Sequence, residues 1–394
     1  MPARPKALVA MSGGVDSSVA AALLVREGWD VVGCFMRLGS PGEALDEPEL
    51  CETSGEACGS GPRSSGLRIG KQGCCSINDA ADARLVAAEL GIPLYVCNFK
   101  RDFDRVIDYF VREYADGRTP NPCVRCNDWL KFGKLHDYAA RINAEVIVSG
   151  HYARIGRDEA GRATLLRGVD AHKDQSYVLF GSPRAHLARM RLPIGEFEKP
   201  AVRELAERFG LPVFDKPDSQ EICFVPDGNY AGLVEARAPE LRVRGKLVDP
   251  SGRELGEHEG QHRYTIGQRR GLGVALGEPA FVLDRDARTN TVTIGPRGSL
   301  RHDRCVAGEA NWLIDEPGQA IRCRAQFRAH GEASPATVRA IAGLEAPTPS
   351  GRTAAFEVVF DEPQEALAPG QAIVLYDEAD GRRVLGGGWI ARAG

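Results

Sequence analysis

Apolar positions in the first half of the chain alternate between two rhythms. Compact apolar runs at Lys6 to Met11, Trp29 to Leu38, Pro93 to Cys97 and Val146 to Ser149 have the length of buried strands. Between them, Asp16 to Glu27, Asn78 to Leu90, Phe103 to Tyr114 and Asp128 to Ile142 read as helices. Gly28 suits the C-cap of the first helix and Gly91 ends the second. Pro200 to Arg208 reads as a further short helix with proline in its first turn. The stretch from His151 to Ser182 has room for a hairpin around Asp158–Gly161. Strand–helix alternation of this kind predicts an α/β fold with a doubly wound parallel sheet. Ligands in such sheets bind at the carboxyl ends of the strands, near a switch in strand order.

The texture changes after Ser219. Helical periodicity fades, and short β-like runs such as Phe281–Asp284, Thr291–Ile294 and Ala372–Tyr376 appear between Gly and Pro. The chain therefore divides into an α/β unit (1–217), a central β-rich unit (218–298) and a C-terminal β-rich unit (299–394). Residues 39 to 73, rich in Gly, Ser, Pro and Glu, break the α/β pattern and read as a surface insertion. Cys51, Cys58, Cys74 and Cys75 in and beside it read as surface or structural thiols.

Composition narrows the class. At 394 residues, 43% hydrophobic and 26% charged, the chain is an ordinary globular protein. Its net charge of −4 argues against a uniformly basic nucleic-acid binder and leaves local basic patches open. No stretch approaches the ~18 apolar residues of a membrane span. The N-terminus, Met1 to Lys6, lacks the apolar core of a signal peptide. A cytoplasmic location with no membrane partner is expected. Eleven cysteines in a reducing compartment suit free, metal-bound or catalytic thiols better than a disulfide framework.

Three motifs carry candidate chemistry. Ser12-Gly13-Gly14-Val15-Asp16-Ser17-Ser18 lies between a strand and a helix. Two glycines let the backbone approach a ligand, and the helix N-terminus offers N–H groups to a phosphate. No lysine precedes the serines, so it is not the Gly-x-x-x-x-Gly-Lys loop. In Asn121-Pro122-Cys123-Val124-Arg125-Cys126-Asn127, Cys126 falls at the start of an expected helix with Arg125 beside it, and both features favour a thiolate nucleophile. Half of a zinc site is the other reading of that Cys-x-x-Cys. In Asp218-Ser219-Gln220-Glu221-Ile222-Cys223-Phe224, composition alone makes Cys223 an ordinary buried cysteine.

The motifs in combination say more. The Ser-Gly-Gly-Val-Asp-Ser loop resembles the signature of the ATP pyrophosphatase superfamily, whose fold is adenine nucleotide α-hydrolase-like. Together with Ser149-Gly150-His151-Tyr152-Ala153-Arg154, Lys173-Asp174-Gln175-Ser176-Tyr177, Ser-Gln-Glu-Ile-Cys-Phe and Thr265-Ile266-Gly267-Gln268-Arg269-Arg270-Gly271, the whole chain resembles the bacterial tRNA-specific 2-thiouridylase family (MnmA type). The resemblance implies ATP-dependent 2-thiolation of a tRNA wobble uridine. It assigns Cys126 as nucleophile and Cys223 as carrier of a persulfide, the two ending as a transient disulfide. It places ATP against Ala10, Met11, Ser12, Gly13, Gly14, Val15, Asp16, Ser17, Met36 and Gly150, with Mg²⁺ near Asp16 and no permanent prosthetic group. It places tRNA against Asn121, Pro122, Cys123, His151, Lys173, Asp174, Gln175, Gln326, Phe327 and Gln371. A protein of a sulfur relay is the implied donor.

Some relatives carry Asp where this chain has Cys123, which weakens any acid–base role for that thiol. Arg322, Arg324, Gln326 and Arg328 alternate on an expected strand and share a face suited to phosphates, or to plain solvent. Three rival readings remain. An iron–sulfur cluster on Cys123, Cys126 and Cys223 would serve the same reaction. A glutamine-dependent amidotransferase of the asparagine-forming kind needs Cys directly after Met1, and Pro2 stands there. The third is a zinc-stabilised RNA-binding module without catalysis.

Overall fold

The computed structural model describes residues 4–39, 77–218, 222–225, 228–274, 277–343 and 348–394. The four insertion-side cysteines and residues 219–221 of the Cys223 motif lie outside them.

The N-terminal unit is built on strands β1 (Lys6–Ala10), β2 (Asp30–Arg37), β3 (Leu94–Asn98) and β4 (Val146–Val148), a hairpin of β5 (Ala153–Arg157) and β6 (Ala163–Arg167), and a short β7 (Met190–Arg191). The sheet order is β3-β2-β1-β4-β7, all parallel. Its helices are α1 (Val15–Arg26), α2 (Ile77–Glu89), α3 (Lys100–Ala115), α4 (Pro122–Cys126), α5 (Leu135–Arg141) and α6 (Lys199–Arg208).

Strand alternation explains the two cores. Ala7, Val9, Val31 and Phe35 pack on one face with Val19 and Leu24 of α1, Val86 of α2 and Val202 of α6. Leu8, Val32 and Cys34 pack on the other with Phe103, Ile107 and Phe110 of α3 and Leu135 of α5. Both faces are covered, as parallel sheets require. The chain runs outward from β1 to β3 and returns to β4 on the other side of β1. The switch in strand order therefore falls between β1 and β4, and the loops after these two strands form the crevice.

The helix expected over Asp128 to Ile142 is not one α-helix. Asn127–Lys134 is π-helical, and only then does α5 begin. Gly133 permits the wide turn, because an added Cβ would lie 2.9 Å from the Asp128 carbonyl oxygen. The hairpin around Asp158–Gly161 forms with Gly161 at φ +74° and the Asp158 carboxylate accepting from the Ala160 and Arg162 amides.

Beyond α7 (Tyr230–Arg237), strands β8 (Gly245–Val248), β9 (Glu254–His258), β10 (Phe281–Asp286) and β11 (Thr291–Gly295) make a four-stranded sheet over a small core of Leu247, Val282, Val292 and Ile294. Strands β12 (Arg301–Trp312), β13 (Ile321–Gln326), β14 (Ser334–Ile341), β15 (Ala355–Glu365), β16 (Ala372–Tyr376) and β17 (Val384–Ala393) close into a barrel in the order β12-β15-β14-β13-β16-β17.

Both β units hold Thr119, two residues before Asn121. The Thr119 amide donates to the Pro369 carbonyl at 2.8 Å, and the Thr119 hydroxyl accepts from Arg285 of β10 at 3.0 Å. Gly370 sits at φ +88°, and an added Cβ would meet the Thr119 carbonyl at 2.8 Å. Gly370→Ala is therefore strained in backbone and space at once. It should cost about 1–3 kcal/mol in urea unfolding, against a few tenths for Ala at the open surface position Gly298.

Candidate active site

The first half of the site is the turn after β1. Gly13, at φ +74°, packs so closely on the backbone of Asp79 that no side chain fits. Ser17 Oγ accepts from the Ser12 amide at 3.1 Å, and Ser17 and Ser18 hydroxyls donate to the Gly14 carbonyl at 3.1 and 2.8 Å. Gly14 caps α1 without a side-chain hydrogen bond, so no side chain competes with an anion there. Across the crevice, Gly150 after β4 lies against α1, where an added Cβ would be 2.6 Å from the Ser17 amide nitrogen. Met36 is half-buried at the carboxyl end of β2.

Asp16 does not stand alone. Its carboxylate accepts from Lys199 Nζ at 2.8 and 3.0 Å and from the Tyr152 hydroxyl at 2.8 Å. Lys199 is buried and also reaches Asp218 at 2.8 Å. Asp218 further accepts from Lys173 at 2.8 Å and Arg203 at 2.9 Å. Lys216 donates to the Gly13 carbonyl at 3.0 Å and to Asp79 and Asp82 at 2.7 and 2.6 Å. The segment entering the Cys223 motif is thus bolted onto the phosphate loop. Sequence reasoning missed Lys199, Lys216, Arg203 and Tyr152 as site residues. One signal existed: a lysine in the first turn of α6 opposes the helix dipole, which marks it as held by something else.

The second half holds the thiols. The Asn121 side chain accepts from the Val124 amide at 3.4 Å and Pro122 opens α4. Cys126 is the last residue of α4, not its start, and the chain continues into the π-helical stretch. The helix-dipole argument for its thiolate is corrected accordingly, since the effect is confined to the first turn. Arg125 beside Cys126 is itself engaged: its guanidinium pairs with Glu309 of β12 at 2.9 and 2.6 Å. Cys126 is buried at 9% exposure, Cys123 is exposed and Cys223 is half-buried. Cys126 belongs to the core cluster beneath the sheet, and Ile222 and Cys223 pack against that same cluster. Phe224 fixes the segment there by edge-to-face contacts with Phe103 (5.6 Å) and Phe110 (5.3 Å) of α3. Among the described residues no three His, Cys, Asp or Glu side chains are gathered as metal ligands, so the three cysteines are not arranged here as a cluster-binding set.

Three family models match the chain in sequence. The tRNA methyl transferase HUP domain model matches residues 5–59 and 63–227, its PRC-barrel domain model 234–296, and the aminomethyltransferase β-barrel domain model 302–390. The tRNA-specific 2-thiouridylase MnmA of Rhodopirellula baltica is 46% identical over 98% of this chain and 96% of its own length. That of Chloroflexus aggregans is 46% identical over 98% of each. The chain belongs to the tRNA-specific 2-thiouridylase family. A solved 4-thiouridine synthetase–RNA complex with bound ATP aligns at a TM-score of only 0.34 and 17% identity, over 61% of this chain and 52% of that one.

The thiouridylase resemblance also assigns RNA-facing residues, and their settings differ. Lys173 is exposed on the rim. Gln175 accepts from the Tyr152 amide at 2.9 Å, and Asp174 is held by Arg167 at 2.6 Å and by the Ser176 hydroxyl at 2.8 Å. His151 is buried beside Ser149 Oγ (2.7 Å) and Phe132, and burial together with Lys131 holds its pKa well below the usual value, so it is neutral at working pH. Gln326 is buried, accepting from Arg167 at 2.7 Å, and Phe327 packs into the barrel core. Gln371 is half-buried. On the strand face expected to meet phosphates, Arg322 is already paired with Asp361 and Glu378 at 2.7 and 3.1 Å.

Burial raises the Asp218 carboxyl, but hydrogen bonds from Lys173 and Lys199 outweigh it and hold the pKa at about 2, below the ordinary 3.8. A depressed carboxylate contributes stability that is whole above its unfolded pKa and lost as pH falls through the folded one. The urea-midpoint gap between the native chain and Asp218→Asn should therefore be full above about pH 4 and narrow steadily towards pH 2. A gap that stays constant over that window would rule out the ion cluster as its source.

Proposed function

We propose that the protein is an ATP-dependent tRNA 2-thiouridylase, acting in the cytoplasm on the C2 position of a wobble uridine. The observation that carries this reading is the Lys199 bridge, which joins Asp16 of the phosphate loop to Asp218 at the head of the Cys223 segment. Thiolation needs an ATP-cleaving loop and a sulfur-bearing residue in one place. Two of the domain descriptions carry the words methyl transferase, but the relatives that match over 98% of the chain are named thiouridylases, which favours sulfur transfer.

The chemistry follows from the electrophile. A uridine C2 carbonyl resists attack, and adenylation of its oxygen, with pyrophosphate leaving, makes it a leaving group. Gly14 to Ser17 and the α1 N-terminus would stabilise the departing pyrophosphate. Mg²⁺ would enter with the nucleotide. Asp16 would be its carboxylate; it is already shared with Lys199 and Tyr152, so most of the ion's ligands would be phosphate oxygens and water. A sulfur-relay protein would load Cys223 as a persulfide. In one route the Cys126 thiolate attacks the Cys223 sulfur, releasing hydrosulfide that adds to C2 and expels AMP. In the other the terminal persulfide sulfur adds to C2 and expels AMP, and the Cys126 thiolate then attacks the Cys223 sulfur, breaking its bond to the sulfur on C2. Both routes leave a Cys126–Cys223 disulfide that takes two electrons to reduce.

The target base would leave its stack to reach Cys126, at the modest cost usual for anticodon loops. Asn121, Pro122, Cys123, Lys173 and the barrel would face the RNA.

The direct test is mass analysis of nucleosides from tRNA incubated with the protein, ATP, Mg²⁺ and sulfide. 2-Thiouridine derivatives are expected, and their absence with adenylation-competent protein contradicts the reading. In the same assay, Cys223→Ser should still release pyrophosphate in the presence of tRNA yet transfer no sulfur from a persulfide donor. Normal transfer by that variant would remove Cys223 from its role.

A further inference from the structure

Arg125 is a charged side chain with only 1% exposure, one residue before Cys126. Stability is weak grounds for placing it there. Two charges taken out of water cost several kcal/mol each, and well-packed apolar replacements of such pairs are often neutral or stabilising. The surroundings show what the cost secures. Nη1 and Nη2 form two parallel bonds to Glu309 of β12, at 2.9 and 2.6 Å. The guanidinium lies 3.8 Å from the ring centre of Trp389 on β17, 4.9 Å from Tyr109 on α3 and 5.3 Å from Trp129 in the π-helical stretch. Glu309 is fixed in turn. It sits at φ +51°, a left-handed conformation rare for a non-glycine residue, and Oε2 also accepts from the Ser350 amide at 3.1 Å. A planar fork in a ring of three aromatics permits one orientation only.

We infer that Arg125 is a positioning residue for Cys126, clamping the junction of α4 and the π-helical stretch to the C-terminal barrel so that the barrel sets where the thiol points. The inference rests on the proposed role of Cys126 as nucleophile. The residues on either side of the thiol are both tied down by the barrel. Asp128, two residues on, accepts from Arg352 at 3.5 Å, and Arg352 also donates to the Gly181 carbonyl at 3.0 Å. Cys126 therefore hangs between two barrel contacts at the point where the helix changes its hydrogen-bond register, a place where such bulges are common at functional sites.

The experiment uses the full chain with Arg125→Met/Glu309→Leu, which removes both charges together and leaves none unpaired. Three quantities are read: the tRNA thiolation rate, KM for tRNA, and the rate of Cys126 alkylation by iodoacetamide, located by peptide mass. The folded double variant should lose about tenfold or more in kcat, the scale of a misplaced reacting group. Its KM for tRNA should stay within about twofold, and Cys126 alkylation should change at least about threefold. An unchanged kcat, a loss confined to KM, or an unchanged alkylation rate overturns the assignment. If the double variant does not fold, Arg125→Lys, which keeps the charge and loses the fork, decides on the same three readings. Cys126→Ser is run alongside. Full thiolation by that variant would sink the nucleophile role itself, whereas an inactive Cys126→Ser beside a native-like double variant sinks only the clamp.

Discussion

One buried ammonium ties the site together. Lys199 lies between Asp16, in the turn that would receive pyrophosphate, and Asp218, at the head of the segment that leads to Cys223. Its charge is matched on both sides, which is what allows it to be buried at all. Without it, two carboxylates would face each other across the crevice, and the α/β unit would lose its link between nucleotide loop and sulfur loop. Lys173 and Arg203 reinforce the Asp218 end, and Lys216 repeats the device between Gly13, Asp79 and Asp82. The crevice is held by paired charges because the strand ends that form it supply few side chains of their own.

The sequence made some of this architecture legible and hid the rest for physical reasons. Strands β1, β2 and β4 stand out because both faces of a parallel sheet are covered there, which leaves apolar runs such as Ala7 to Ala10. The phosphate loop stands out because glycine is needed where Gly13 meets Asp79. The π-helical stretch from Asn127 does not, since a change in backbone hydrogen-bond register leaves the apolar spacing nearly intact. The pairing of Arg125 with Glu309 is hidden because the two lie 184 positions apart. Lys199 was missed because its partners lie 183 and 19 positions away, beyond any local pattern.

The β units do more than extend the chain. The barrel reaches the thiol loop through Pro369 to Thr119 and through Glu309 to Arg125, and the central sheet reaches it through Arg285. Under the proposed function, a domain that holds RNA and also holds the nucleophile's loop would couple recognition to chemistry by rigid contact. That coupling suits a reaction in which the wrong base must not be activated.

The central claim is that Cys126 and Cys223 act on the same sulfur atom. It is tested most directly by a single turnover with persulfide-loaded protein, ATP and tRNA in the absence of reductant, followed by alkylation and peptide mapping. The account predicts a Cys126–Cys223 linked peptide in proportion to the thiolated nucleoside formed. Thiolated tRNA accompanied by two freely alkylated cysteines would contradict it.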